Sequence, residues 1–562
     1  MCLNVKTTGS VPEETARIAL AAFPKGNLYI RMRDELGTIF DNQQFADLFP
    51  PQGQPAQAPW QLALVTVMQF AEGLSDRQAA DAVRSRIDWK YALGVELSDP
   101  GFDSSVLCEF RARLIAGSAQ ERLFETLLDL CRDRGFVKAR GRQRTDSTHV
   151  LAAVRALNRV ELVTETMRHA LDALATAAPD FLRDWINTHV EPEQVQDWSR
   201  KYSRRVEESR LNVKEDQRQA AVEAIGRDGR QLLSAIYAPE TSLWLREIPA
   251  VDTLRRVWIQ NFYQMNAEIH WRDAQNIAPS RQFISSPLDT DAHLAKKGST
   301  CWVGYKVHLT ETCEDDQPNL ITHVETTSAP ASDGEATPLI HKALQGKNLL
   351  PDKHIVDTGF LDAELMVTSK RDFQVDLLGP TRPDVKWQSQ EGKGFDAAHF
   401  QVDWQEQKAV CPEGRTSMSW TPTIDKRQNH LIKIKFSSTD CGTCPSRVSC
   451  VRSQKKYCRR TITLRQQDHH EALYAARNRV KTPEFREEYA RRAGIEGTLS
   501  RAVRRCEMRR SSYVGQVKVH LGHILTATAL NFLRVGEWLA EISKAKTRIN
   551  PFTRLMALPA TL

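Results

Sequence analysis

The chain has 562 residues, 41% hydrophobic and 26% charged, with a formal net charge of +7. That length exceeds one hydrophobic core and predicts about three or four structural units. No apolar run approaches the roughly 18 residues that cross a bilayer, and the opening MCLNVKTTGSVPEETARI has neither the charged segment nor the apolar stretch of a secretory signal. A soluble, cytoplasmic protein without a membrane partner is expected, and its eleven cysteines read as buried thiols or metal ligands rather than a disulfide framework.

Charge is unevenly placed. Residues 451–510 hold 17 Lys and Arg against 7 Asp and Glu, so the rest of the chain is slightly acidic. Such concentration favours a polyanion, because neutralising phosphates releases condensed counterions; a solvated helix face is the alternative.

Residues 1–53 read as a leader ending in the breaker cluster FPPQGQPAQAP. Apolar letters at helical spacing in WQLALVTVMQFAEGL then open a helical unit, 54–135. Ser75 is placed to cap DRQAADAVRSR, and Asp103 or Ser104 to cap SVLCEFRARL. Two capped helices with arginines on exposed faces suit a helix-turn-helix-like DNA contact, with an ordinary helical domain as the alternative. Residues 136–154 pass from a basic loop into a short strand ending near Asp146, and 155–285 read as long amphipathic helices.

From 286 to 380 the period changes. CWVGYKVHLTETC and NLITHVETTSA alternate as paired strands, GEATPLIHKALQ is a helix, and KHIVDTGF is a short apolar strand ending in Asp357. A helix, LDAELMVTSKRD, and a strand, QVDLLGP, follow. Strands interleaved with helices indicate an α/β core. Residues 381–470 break this pattern with turns, short strands and cysteines, as an insertion does. Residues 471–543 return to helices, one running from about Pro483 through Glu496 to about Arg505 and another covering VKVHLGHILTATALNFLRVGEWLAEI. Residues 544–562 are expected to be a loose tail.

Three acids and a glycine pair stand out. Asp146 and Asp357 sit at predicted strand ends, where side chains converge on ligands in open α/β sheets, although each alone reads more readily as a cap or turn former. On a helix, Tyr489, Arg492 and Glu496 fall at i, i+3 and i+7, on one stripe. Gly494 and Gly497 flank the acid at a cost of about 1 kcal/mol each relative to alanine, which calls for the close approach of another backbone or of nucleic acid. Cys411, then Cys441, Cys444 and Cys450 in CGTCPSRVSC, can close a tetrahedral structural Zn²⁺ site; reduced thiols without metal are the alternative.

Two strand-end aspartates plus a glutamate in Tyr-x2-Arg-x3-Glu resemble the DDE transposases of bacterial insertion sequences, in particular the insertion sequence 1182 group, similar in layout to the insertion sequence 4 group. LSDRQAADAVRSRIDWKYALG, DSSVLCEFRARL, SPLDTDAHLAKKGSTCWVGYKVHL and RAGIEGTLSRAVRR carry the likeness, from about residue 40 to 540. The family signature ends in a Lys seven residues after the Glu, where this chain has Val503, with Arg504 next. The resemblance implies a multidomain α+β protein: an all-α N-terminal domain and an RNase H-like α/β core with helical and Cys-containing insertions. It further implies catalytic Asp146, Asp357 and Glu496 binding Mg²⁺ or Mn²⁺, and DNA contacts from Tyr489, Arg492, Arg501, Arg504 and Arg505. The partners would be double-stranded DNA, at transposon ends and target, and a second copy in a homodimer. A transposase-derived protein that binds without cutting, or a nuclease that cuts without joining, are the alternatives.

Overall fold

The computed structural model describes residues 2–3, 9–203, 215–426, 428–455, 457–542 and 550–557. Its centre is a six-stranded sheet: β1 (Gln143–Leu151), β2 (His293–Lys297), β3 (Thr300–Thr312), β4 (Ile321–Ser328), β5 (Lys353–Ile355) and β6 (Asp376–Leu378). Across the sheet the order is β4-β3-β1-β5-β6, with β2 sharing the outer edge of β3 with β4. β1 runs antiparallel to β3 and parallel to β5, and β5 is parallel to β6. β3 is the long template. Its 13 residues pair with β2 over one half and β4 over the other, and its far edge holds β1 as far as Leu151 opposite Gly304. Asp146 therefore lies inside β1, opposite Leu309, rather than at a strand end.

The N-terminal helices are α1 (Pro59–Glu72), α2 (Asp76–Ser85) and α3 (Ser105–Ala116). Ser75 caps α2 in a reciprocal capping box with Gln78, while at α3 the Asp103 carboxylate takes the Ser105 N–H at 2.9 Å. The arginines of α3 do not face solvent as expected: Arg111 is buried on Asp76 at 2.6 Å, and Arg113 lies over Phe49 and donates to the Leu48 carbonyl. Nor do residues 1–53 stand apart. Helices Glu13–Ala22 and Leu28–Leu36 fold there, and Tyr29, Met32 and Phe45 are buried in the same apolar cluster as the sheet. Long guanidinium stems and aromatic rings cover more apolar surface turned inward than outward.

The segment 155–285 forms its own helical core, which includes α4 (Arg159–Ala177) and α5 (Pro249–Asn261) and is built on Leu162, Met167, Trp185, Leu254 and Trp258. A hairpin at 262–271, absent from the sequence reading, closes it through Phe262 and Trp271. Beyond β4, α6 (Asp333–Gly346) and α7 (Ala363–Phe373) pack by the sheet. The cysteine-bearing insertion carries a three-stranded antiparallel sheet, β7 (Ser419–Ile424), β8 (His430–Lys435) and β9 (Thr461–Arg465), on a small core of Phe400, Ala409, Ile434, Phe436, Ile462 and Leu464.

Four helices follow: α8 (Gln467–Arg479), α9 (Pro483–Ala490), α10 (Ala493–Cys506) and α11 (Gln516–Leu539). The single helix expected from Pro483 to Arg505 is thus two, parted at Arg491 and Arg492. α11 is the spine of the molecule. Sixteen of its residues are buried, and it packs on α1, on β4 and on the helix Arg122–Asp133, so N-terminal helices and sheet share one apolar core. Of the expected tail, residues 544–549 and 558–562 lie outside the described residues, as does residue 543 before it, and Pro551–Ala557 is a short helix.

Candidate active site

The three acids meet at one side chain. Arg492, in the break between α9 and α10, donates Nη2 to Asp146 Oδ2 at 2.8 Å and Nη1 to Glu496 Oε1 at 3.2 Å, and its Nη2 stands 4.0 Å from Asp357 Oδ2. These residues are separated by up to 350 positions in the chain, and three different elements deliver them. β1 supplies Asp146, whose other oxygen accepts the Ser147 N–H at 2.8 Å. The turn after β5 supplies Asp357, fixed by the Gly359 N–H at 2.7 Å. The first turn of α10 supplies Glu496, where the helix dipole favours a negative charge. Burial pushes the Asp146 carboxyl up against the pull of Arg492. Burial also works against the charge on Arg492, but Asp146 and Asp357 hold its guanidinium above its ordinary value.

Gly359 shows how crowded the acids are. A Cβ there would stand 3.0 Å from Asp357 Oδ1 and 3.1 Å from Asp333 Oδ2. Asp333, in the first turn of α6, is a fourth carboxylate that the sequence reading missed, because SDGEA looks only like a helix start. It takes bonds from Ser147 Oγ and Lys306 Nζ, both at 3.0 Å. Burial opposes its charge, but Lys306 and His308 keep its carboxyl below the usual range. Further cations frame the acids: Lys297 acts on Asp146 through space, and Arg509 donates to Thr148 Oγ1.

Gly494 answers the question its position raised. A Cβ there would lie 2.2–2.4 Å from the guanidinium atoms of Arg144, so the helix approaches β1 closely only without a side chain. Gly497 has nothing within 4 Å of that point. Arg144, two residues before Asp146, donates to the Arg491 carbonyl and pairs with Glu311 of β3 at 2.6 Å. Glu311 has no solvent exposure, and its second oxygen accepts Thr498 Oγ1 at 2.6 Å and Arg534 Nη1 at 2.8 Å. One buried carboxylate therefore ties β1, β3, α10 and α11 together beside the acids.

The other expected contact residues are placed as follows. Tyr489 is half-buried, its ring stacked on Phe485 at 5.4 Å and packed by Cys313, Ile355 and Leu378. Arg501 pairs with Glu537 and Arg505 donates to the Ala71 carbonyl, so both fasten α10 to its neighbours. Arg504 bonds only within its own helix among the described residues and lines an open cleft of about 780 Å³ with Arg86 and Arg505. Val503 packs against the main core.

Among the described residues, no three His, Cys, Asp or Glu side chains stand where they would share a metal ion. In the acid group the reason is visible, since a guanidinium stands among the carboxylates. The donor set nevertheless fits a hard divalent cation: it is all oxygen, and three carboxylates against one guanidinium leave two negative charges. The cysteine tetrad is looser. Cys411, Cys441 and Cys450 pack on the insertion's small core, and the other three thiols join burial in pushing Cys450 up to about 11. They share a neighbourhood without forming a metal-ligand cluster among the described residues, Cys441 and Cys450 standing in two short helices.

Residues 410–535 match the family described as "Transposase DDE domain", and residues 19–113 match the family described as "Transposase domain (DUF772)". No curated protein and no solved structure matches the chain. The first match contains Glu496 and the second begins within the stretch first read as a leader. Together they support a transposase of the DDE type.

Proposed function

We propose that the chain is a metal-dependent DDE transposase, akin to the insertion sequence 1182 group, that cuts DNA at transposon ends and joins the freed end to a target. The observation that carries this reading is the meeting of Asp146, Asp357 and Glu496 around Arg492. The order β4-β3-β1-β5-β6, three antiparallel strands followed by two parallel ones, supports an RNase H-like core. No helix among the described residues is long and apolar enough to cross a membrane.

Asp146, Asp357 and Glu496 would hold Mg²⁺ or Mn²⁺, which would supply activation of the attacking oxygen and charge stabilisation at the leaving oxygen of an in-line phosphodiester displacement. The residues of the chain do the rest. Arg492 offsets the mutual repulsion of the acids and keeps them gathered. Released from Asp146, its planar fork is suited to a DNA phosphate. Lys297 and Arg509 draw the backbone toward the acids.

The test is strand cleavage of a duplex bearing the element's end. Asp146→Asn, Asp357→Asn and Glu496→Gln should each abolish metal-dependent nicking while leaving duplex binding in place. Wild-type cleavage by all three would overturn the assignment. Nicking without strand transfer in the unmodified protein would instead make it a nuclease.

A further inference from the structure

The cysteine-bearing insertion carries a surface that the acid site does not use. The sheet β7-β8-β9 has two unlike faces, fixed by strand alternation. Trp420 pairs with Ile434, Ile434 with Ile462, and Ile432 with Leu464; these side chains make the unit's core. The opposite face is set by the rows Thr421-Lys433-Thr463 and Ser419-Lys435-Thr461. A third row ends in Arg465.

No acid occurs on that face. A solvated antiparallel sheet ordinarily gains by placing opposite charges across from each other, and this one sets Lys433 between Thr421 and Thr463, and Lys435 between Thr461 and Ser419, whose hydroxyl is buried. Among the described residues neither Lys433 nor Lys435 is in an ion pair, and Lys433 is exposed. Residues 408–465 hold 13 Lys and Arg against 3 Asp and Glu. The three acids are all off the sheet: Glu413 accepts Ser446 Oγ at 2.6 Å, Asp425 accepts Asn429 in the β7-β8 turn, and Asp440 is in the helix Ser438–Thr443.

We propose that this outward face is a second DNA-docking surface, which grips the sugar-phosphate backbone of duplex DNA without reading its sequence. Lys433 and Lys435 are about 7 Å apart along β8, far enough for each to meet its own phosphate. Lysine supplies the point charge and threonine hydroxyls donate to phosphate oxygens, and both hold a backbone without base contact. The proposal takes its polyanion from the transposase reading but does not depend on the acids.

The experiment measures binding of the full-length chain to a 30-base-pair duplex of arbitrary sequence by fluorescence anisotropy across a salt series. Lys433→Thr with Lys435→Thr, which keeps strand propensity, should lower the slope of log affinity against log salt by about 2, one for each lost phosphate contact. Lys408→Thr, on a strand outside this sheet and paired with Glu406, should leave the slope unchanged. An unchanged slope in the double variant, with the far-ultraviolet circular dichroism of the parent, would overturn the proposal. So would loss of single-stranded RNA binding with duplex binding intact. An unchanged slope in the lysine double variant would sink this proposal alone, and metal-dependent nicking that survives in Asp357→Asn would sink the catalytic reading alone, so the two failures are told apart.

Discussion

Glu311→Gln tests the geometry beside the acids. The substitution keeps shape and removes charge from a carboxylate with no solvent exposure that serves Arg144, Arg534 and Thr498. Side-chain exposures of 7% for Arg144 and 14% for Arg534 leave the stranded guanidinium groups little access to water. Breaking a buried pair by removing one partner costs about 3–5 kcal/mol, against about 1 kcal/mol for an ordinary hydrogen bond, and the first value applies because both cations stay behind. Unfolding in urea should show that loss. Asp47→Asn, which breaks the exposed pair with Arg122, should cost under about 1 kcal/mol. Because Glu311 also holds α10 through Thr498, Glu496 should shift relative to Asp146, and a displacement of about 1 Å can cost about 10²-fold in rate. A Glu311→Gln protein within about 1 kcal/mol of the parent and with full cleavage would refute the reasoning.

Gly494→Ala should destabilise by about 1–3 kcal/mol or more, since the new methyl meets an Arg144 that Glu311 holds in place. Gly497→Ala, with open space at its Cβ, should be neutral or stabilise by up to about 1 kcal/mol; equal effects in thermal unfolding would contradict this. Arg492→Ala should raise the affinity of the acids for Mn²⁺ in the absence of DNA, measured by titration calorimetry, because the competing cation is gone; weaker Mn²⁺ binding would refute the counter-ion role. Burial lowers His341 to about 4 and His523 to about 3, whereas the unfolded chain takes up these protons below about 6.5. Stability is therefore present above pH 6.5 and is lost as the pH falls, by up to about 1.4 kcal/mol per unit for each histidine. An unfolding midpoint in urea that is unchanged between pH 7.5 and 5.5 would contradict it.

Local chemistry determined much of this protein from the sequence alone. Ser75 before DRQAADAVRSR marks a helix start because its hydroxyl can accept a first-turn N–H, the apolar alternation of residues 300–312 marks a strand, and the acidic positions were visible as carboxylates on elements able to carry them. Chain order could not say what those elements would touch. Asp146 and Arg492 are 346 positions apart, and only packing of α10 on β1 puts the guanidinium among the acids instead of on an open stripe. The same packing explains Gly494, brings in Asp333 and Glu311, and turns Arg501 and Arg505 onto neighbouring helices, while Tyr29, Met32 and Phe45 enter the main core from the N-terminal stretch. Periodicity records which face of an element is apolar; the partner of a buried charge is decided by which distant surface arrives there, because a desolvated charge must find its counterpart in space.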